Sequence, residues 1–539
     1  MKALTAAEMR EVDRLTTERF GISGDRLMES AGKSVAEVFL EKYGERNGRT
    51  PGRVCVLCGK GNNGGDGFVA ARHLKGNVGE VKVYLFGEPQ DLRGDAAKNY
   101  QRWRELGETL AVIRGEEDWI RAWPDVAGSE VIVDALLGTG IRGGASGLLA
   151  QVIENVNRFS QDAKAAWPAW IVAVDTPSGL PSDGEAAEGP VLRAHLTVTF
   201  TAPKIGQLVS ADAGNCGALV VREIGTPAAL VEEVGKGKLR WAGPEEFSEM
   251  PLQRAAEAHK GSYGHVLLVA GSIGKTGAAV LCGQAALRGG AGLVTVATPQ
   301  PALATVAAAQ AEYMTEALPA TVSGTIASEA VRLGGFATLL HGMTALGIGP
   351  GVGTHPETQE FVRTVVTHAD LPMVVDADGL NAFAGQADTL AIRKSPHLVL
   401  TPHPGEMARL CGLTTLQVQA DRIKHAAEFA GKWNAVVLLK GFHTVIAAPN
   451  GDVFVNTTGS AGLAKGGSGD VLTGLLAALI AQFGAADLYR VVALGTYLHG
   501  RAAEIVGAAS DESGVLAGEV AKAVPLARRK LLQESQARD

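Results

Sequence analysis

A chain of 539 residues, 46% of them hydrophobic, has the length for roughly two to four domains and the composition of an ordinary globular protein. Its formal net charge of −7 excludes the basic field that nucleic acid or an acidic membrane would need as a main partner. Five cysteines, Cys55, Cys58, Cys216, Cys282 and Cys411, give no disulfide framework at this length.

The first ten residues carry charges where a secretion signal needs an apolar run. Thr5 to Glu8 has the form of a capping box, opening a helix with Met9, Val12 and Leu15 on one side. A second helix follows, with Leu27, Met28, Ala31, Val35, Val38 and Phe39 at helical spacing. Near-continuous β-branched runs at 53–58, 81–86, 131–136 and 170–174 then alternate with helical patterns at 66–75 and 147–158. Runs of that kind belong to parallel strands covered on both faces, so this half is expected to be doubly wound α/β. Cys55 and Cys58 fall within the first of these strands, as core side chains.

Gly59 to Gly67 follows that strand and matches G-x-G-x-x-G through Gly59, Gly61 and Gly64, with Glu88 ending the next strand. A nicotinamide dehydrogenase is therefore one open reading. Asn62, Asn63 and Asp66 do not suit a plain pyrophosphate turn; their oxygens suit sugar hydroxyls or a weakly held cation such as potassium. Two further strands end on acids, Asp134 before the glycine-rich 135–144 segment and Asp175 before Thr-Pro-Ser-Gly179. A single strand-end aspartate is commonly a cap. Three beside glycine-rich loops point to a ligand at the carboxyl ends of the strands.

Asn62–Asp66, Val133–Gly140 and Val174–Gly179 resemble the three signature loops of NAD(P)H-hydrate epimerase domains, over about residues 1–225. The resemblance implies that Asn62, Asn63, Gly64, Gly65, Asp66, Gly138, Thr139, Gly140, Ile141, Arg142, Gly143, Gly144 and Asp175 contact the hydrated dinucleotide. It implies that Asn63, Asp134 and Ser178 hold potassium (K+), and that Asp175 is the acid/base inverting C6 of the hydrated ring. Lys204, in Thr201–Lys204, matches the family without an implied role.

The alternation stops near 225. Residues 225–262 are charged, hold Pro227, Pro244 and Pro251, and lack strong strand signals, so 226–250 is expected as a linker between domains at 1–225 and 251–539. A second alternation runs through strands expected at 265–270, 293–297, 345–349, 372–376, 397–401 and 435–440. It ends in helices at 470–482, 487–506 and 514–533. The two halves carry different motifs and form no internal repeat.

Ala270 to Thr276 imitates a P-loop, but Val269 stands where the pattern needs glycine; a strand-to-helix ligand loop reaching Ala278 remains. Gly349-Pro-Gly351 follows a strand, Val375 to Asn381 ends another and Leu400 to Glu406 ends a third. His403, between two prolines, is displayed for substrate. Lys440 to Thr444 joins a cation to a turn, which suits nucleotide phosphate; His443 is as well read as a solvated side chain, and His499 as packing. Asn456 to Asp470 joins a glycine-rich loop to an apolar helix through Val471, Leu472, Leu475 and Leu476. Backbone N–H groups at such a junction bind anions. A carboxylate there would repel phosphate, so Asp470 reads as a base facing a substrate hydroxyl. The apolar run from Val471 to Phe483 falls short of the ~20 residues of a membrane span.

These motifs resemble the ribokinase-like superfamily, and Thr401–Glu406, Lys440–Thr444 and the loop ending at Asp470 resemble its ADP- or ATP-dependent NAD(P)H-hydrate dehydratases, over about 240–535. The resemblance implies an adenine nucleotide on Lys440, Gly441, Phe442, His443, Thr444 and Gly469, and the hydrate on Ala278, Gly351, His403 and Asp470. It implies phosphorylation of the ring hydroxyl with Asp470 taking its proton, elimination of phosphate, and magnesium (Mg2+) as counterion. Ser468 stands where relatives often have threonine.

The expectation is thus an α/β chain of two domains, a Rossmann-like doubly wound sheet followed by a ribokinase-like α/β/α sandwich. It would be a cytoplasmic homo-oligomer repairing NADH hydrate and NADPH hydrate, bound to neither nucleic acid nor membrane. A small-molecule kinase with an N-terminal dinucleotide-binding regulatory domain is the alternative, and a non-catalytic binding role for the N-terminal half is another. ADP against ATP, and NADH against NADPH hydrate, stay open.

Overall fold

In the computed structural model Thr5 caps the first helix as its sequence predicts: its hydroxyl accepts from Glu8 N–H, and Glu8 accepts from Thr5 N–H. The structure describes residues 1–108, 110–140, 143–161, 169–332 and 335–536. Contacts divide the chain into Lys2–Gly237 and a C-terminal unit of Lys238–Asp539 with Met1.

The N-terminal unit holds α1 (Ala6–Phe20), α2 (Gly24–Asn47) and α3 (Asn62–Leu74) around a sheet of β1 (Arg53–Cys58), β2 (Glu80–Phe86), β3 (Leu110–Ile113), β4 (Val131–Ala135), β5 (Trp170–Val174), β6 (Leu196–Phe200) and β7 (Ala218–Arg222). The order is β3-β2-β1-β4-β5-β6-β7, and every pairing is parallel. The strand order reverses between β1 and β4, which is where a doubly wound sheet opens its ligand crevice. The helix expected at 66–75 begins earlier: Asn62–Asp66 is its first turn rather than a loop. Glycines masked that turn, yet Gly64 is needed there, since a Cβ would stand 1.8 Å from the Gly59 carbonyl oxygen. Cys55 is buried against Ser129 Oγ at 2.8 Å, and burial pushes its thiol up to about 11, as suits a core side chain.

The C-terminal unit's sheet comprises β8 (Leu239–Trp241), β9 (His265–Val269), β10 (Leu293–Pro299), β11 (Met314–Leu318), β12 (Ala345–Ile348), β13 (Met373–Val375), β14 (Leu398–Leu400), β15 (Val436–Leu439), β16 (Thr444–Ala447) and β17 (Val453–Asn456). Its order is β11-β10-β9-β12-β13-β14-β15-β16-β17-β8, parallel except where β16 meets β15 and β17. Its switch point lies between β9 and β12. Apolar helices, among them Ser468–Phe483 and Leu488–Ala509, pack on this sheet. Residues 226–250, read as a linker without strand signals, contain the helix Ala228–Val234 and the edge strand β8, which pairs with β17. Three residues with an arginine at their centre leave no periodicity to detect. Among the described residues no helix is long and apolar enough to cross a membrane.

Candidate functional site

In the N-terminal unit Asp175 leaves β5 with φ +62°, and Thr176 N–H bonds the Val174 carbonyl at 2.7 Å, closing a tight γ-turn. Just after β6, Thr201 has φ +64° and Ala202 N–H bonds the Phe200 carbonyl at 2.7 Å. Such turns are rare and strained in L-residues, and strain of this kind, of order 1–3 kcal/mol, persists where surrounding structure enforces it. Here the enforcement is visible. Gln207 Nε2 holds the Asp175 carbonyl at 2.7 Å, Thr199 Oγ1 donates to Asp175 Oδ1 at 2.9 Å, and Lys204 Nζ donates to the same oxygen. Lys204 is 1% exposed, and its ammonium also reaches Thr199 Oγ1 at 2.8 Å and the Phe200 carbonyl at 3.4 Å. Its three hydrogens are thereby used within the protein.

Two more acids feel this pair. Burial, reinforced by the charges of Asp175 and Asp13 and opposed by Lys204, pushes Asp66 well above the ordinary carboxylate range. Burial lifts Asp13, on α1, to about 6, with Lys204 opposing and Asp175 adding. A carboxyl so perturbed can donate a proton where Asp175 accepts one. Sequence reading missed Asp13, although an acid beside Met9 and Val12 on a buried helix face was a legible signal.

Asn63, Asp134 and Ser178 do come together. Asp134 accepts from Ser178 N–H at 2.8 Å, Ser178 Oγ at 2.6 Å and Leu136 N–H at 3.2 Å; burial still pushes it up to about 6. Asn63 Nδ2 donates to the Leu137 carbonyl at 2.8 Å, and Leu137 N–H donates to Ser178 Oγ at 2.9 Å. Asn63 Oδ1 is buried with no partner. Gly138 lies over this group, its absent Cβ 3.1 Å from Asn63 Cβ. Thr139 and Gly140 continue the loop outward, and Ile141 and Arg142 lie outside the described residues. Gly143 and Gly144 pack on Glu188 and Gly189, Gly65 on Met28 of α2, and Asn62 stands exposed at the start of α3. A cleft of about 860 Å3 against β2 and β3, lined by Lys82, Tyr84 and Trp103, contains none of these residues.

In the C-terminal unit Ala278 and Gly351 meet at the switch point. Gly351 has φ +65°, and a Cβ on it would stand 2.8 Å from Ala278 Cβ; Ala279 is buried beneath. Lys275 Nζ pairs with Asp378 Oδ2 at 2.9 Å, and the same oxygen accepts Gly353 N–H at 3.0 Å, fastening three loops. His403 caps the helix Pro404–Cys411: its Nδ1 accepts from Gly405 N–H at 3.0 Å, and Nε2 lies 3.5 Å from Glu406 Oε1. Phe442 is 66% exposed and stacks on His443, which has φ +50°. Arg422 ties down this turn through the carbonyls of Leu439 and Phe442, and Thr444 Oγ1 donates to the Gly441 carbonyl at 3.1 Å.

Lys440 points inward, away from that turn. Its Nζ donates to Asp376 Oδ1 at 2.7 Å and lies 3.8 Å from Glu406 Oε2. Above it, Gly467 takes φ +94°, and the Ser468–Phe483 helix begins with Asp470 in its first turn. Burial and then the charge of Asp376 lift Asp470 to about 6, against Lys440. His499 is buried in the Leu488–Ala509 helix, and burial lowers it to about 4. Sequence reading placed Asp376 and Glu406 inside strand-end segments without giving either a role, and it did not reach Thr473. The rule that singled out Asp134 and Asp175, an acid ending a buried parallel strand, applies to Asp376 as well.

Comparison with known proteins covers both units. A family model described as NAD(P)H-hydrate dehydratase matches residues 266–526, and one described as YjeF-related protein N-terminus matches residues 24–206. The bifunctional NAD(P)H-hydrate repair enzyme Nnr of Moorella thermoacetica is 42% identical, with 99% of this chain and 98% of that protein aligned. The proteins of the same name from Thermofilum pendens and Escherichia coli are 36% and 32% identical, over 99% and 96% of this chain and 97% and 92% of their own lengths. Among solved structures, the ADP/ATP-dependent NAD(P)H-hydrate dehydratase of Bacillus subtilis, co-crystallised with ATP/Mg2+, is 32% identical over 54% of this chain and 98% of its own, with a TM-score of 0.45.

Proposed function

The chain belongs to the bifunctional NAD(P)H-hydrate repair enzymes, and from that membership we propose how its two sites divide the work. It interconverts the R and S forms of hydrated NAD(P)H and dehydrates the S form to NAD(P)H at the expense of an adenine nucleotide. In our reading the first reaction occurs at Asp175 and the second at Asp470. The observation that carries this division is that each unit holds one such carboxylate at its own strand-end site, among its own charges.

Inversion at C6 requires one bond to that carbon to break and re-form on the opposite face, while the ring hydroxyl gives up and regains a proton. Asp175, oriented by Lys204, Thr199 and Gln207, would accept it, with Asp66 as donor. The 62–66 turn and the 138–144 loop would hold the dinucleotide at the β1/β4 crevice. Potassium fits the buried orphan oxygen of Asn63 beside Asp134 and Ser178, an all-oxygen set. Bound there, it would supply a fixed positive charge offsetting buried Asp134.

In the dehydratase site Ala278, Gly351 and His403 would face the hydrate, and Lys440–Thr444 with Gly469 the nucleotide. Asp470 would accept the hydroxyl proton as the terminal phosphoryl group moves to the ring hydroxyl's oxygen, and backbone N–H groups of the 466–469 loop would meet the charge. Phosphate then leaves with the C6–O bond, and the neighbouring ring carbon loses a proton to restore the double bond. Magnesium would arrive on the nucleotide's phosphates, keeping several of its waters. ADP or ATP is the proposed phosphoryl donor, in a cytoplasmic homo-oligomer without nucleic acid or membrane partners.

The experiment is to supply mixed NADH hydrate epimers with ADP or ATP and follow absorbance of the reduced nicotinamide. Full recovery with release of phosphate supports the scheme. Recovery of one epimer alone removes epimerisation, and a stable phosphorylated product would indicate a small-molecule kinase instead.

A further inference from the structure

Asp376 has no role in the scheme above, yet its carboxylate joins three elements of the dehydratase site. It follows β13, is 1% exposed, and uses both oxygens: Oδ1 accepts from Lys440 Nζ at 2.7 Å, and Oδ2 from Thr473 Oγ1 at 2.8 Å. Thr473 lies three residues beyond Asp470 on the same helix, hence on the same face. The pair also sits against the phosphate loop. A Cβ built on Gly469 would be in van der Waals contact with it, 3.4 Å from Asp376 Oδ2 and 3.5 Å from Lys440 Nζ. Taking a carboxylate and an ammonium out of water together costs desolvation that apolar packing would avoid, so such a pair is poorly explained by stability alone.

We propose that Asp376 is a positioning residue for phosphoryl transfer: it fixes the Lys440 ammonium beneath the 466–469 loop and, through Thr473, the helix turn that presents Asp470. Cation and base then keep a set separation while the phosphoryl group passes between them. In that step the bond from the terminal phosphorus to its bridging oxygen breaks, a bond to the ring oxygen forms, and the hydroxyl proton goes to Asp470. The nucleotide departs one phosphoryl group shorter. The inference rests on the reading of Asp470 as that base.

Asp376 also acts on Asp470 through space. After burial, its negative charge is the main influence holding Asp470 up at about 6; Asp378 adds in the same sense and Lys440 opposes. The remaining titratable groups around the pair are Glu406 beside Lys440, Cys282 facing both aspartates, and His499 within reach of the Lys440 charge. Burial pushes Cys282 well up and lowers His499 to about 4, so neither is charged at neutral pH.

The test is kcat against pH for dehydration of the S epimer by the full chain carrying Asp376→Asn, Lys440→Met, Thr473→Val or Asp470→Asn. Asp376→Asn should lower kcat about tenfold or more and move the acid limb down by about one pH unit, since a like charge has gone. Lys440→Met should move the limb upward, and Thr473→Val should lower kcat about threefold with the limb unmoved. Melting curves of the same samples report folding of the C-terminal unit, and epimerisation reports that the N-terminal unit is intact. If Asp376→Asn does not fold, the upward limb of Lys440→Met and the kcat loss of Thr473→Val carry the test. An acid limb that stays put in both Asp376→Asn and Lys440→Met overturns the proposal, as does Thr473→Val at wild-type kcat. Dehydration surviving Asp470→Asn would sink the underlying base assignment instead.

Discussion

Thr201 repeats, one strand over, the backbone turn that displays Asp175: φ is +64° against +62°, and each turn is closed by a 2.7 Å bond across the residue. Lys204 lies in the segment following the second turn and reaches back to the carboxylate displayed by the first. Two strained strand ends thus hold one ion pair. Lys204→Met should abolish epimerisation and destabilise the N-terminal unit by about 3–5 kcal/mol, because a largely buried carboxylate loses a fully buried counterion. Calorimetry would read this as an earlier N-terminal transition. A loss below about 1 kcal/mol would mean that the pair is effectively solvated.

Dehydration should depend on pH through Asp470. Its folded value is raised to about 6, and the deprotonated form is the active one. Activity is therefore present above that value and lost as pH falls through it, with half-maximal kcat near pH 6. A limb near pH 4, the ordinary range of an exposed carboxyl, would show that burial does not reach the working site.

Gly351→Ala should cripple dehydration while leaving epimerisation intact. Position 351 has φ +65°, and a methyl group would stand 2.8 Å from Ala278 Cβ, where the hydrate is expected. We expect KM for the hydrate to rise at least about tenfold. Steady-state kinetics with separated epimers measures it, and unchanged KM would move the hydrate elsewhere.

Replacing potassium by a bulky organic cation should slow epimerisation and leave dehydration as it was. Asn63→Ala, which removes the unpartnered oxygen, should make epimerisation insensitive to the exchange. Epimer ratios followed by chiral chromatography distinguish these cases. Potassium dependence retained in Asn63→Ala would place the ion elsewhere.

Much of this was legible in the sequence because chemistry and fold share residues. The acids at the ends of β4 and β5 and the glycine-rich loop leading into the Ser468–Phe483 helix mark element boundaries, and the proposed sites draw on the same residues. What escaped was polar or short. β6 alternates in Thr197 and Thr199, so its apolar run looks broken, yet both threonines are buried with their hydroxyls bonded to Cys216 O and Asp175. β8 is three residues long and pairs with a strand more than two hundred positions away. Asn62–Asp66 looked like a loop because glycine disfavours helix, while close approach to Gly59 requires it. Lys440 was readable as a cation for phosphate; its pairing with Asp376 is a fact of the fold.

The claim beneath all of this is that two carboxylates, in two units, act in turn on one damaged coenzyme. It is tested most directly by giving Asp175→Asn and Asp470→Asn the same mixed NADH hydrate with ADP and following both epimers from the first minutes. Asp175→Asn should restore the S form at wild-type rate and leave the R form standing. Asp470→Asn should restore nothing yet still equilibrate R with S. Loss of both reactions in either variant would contradict separate sites.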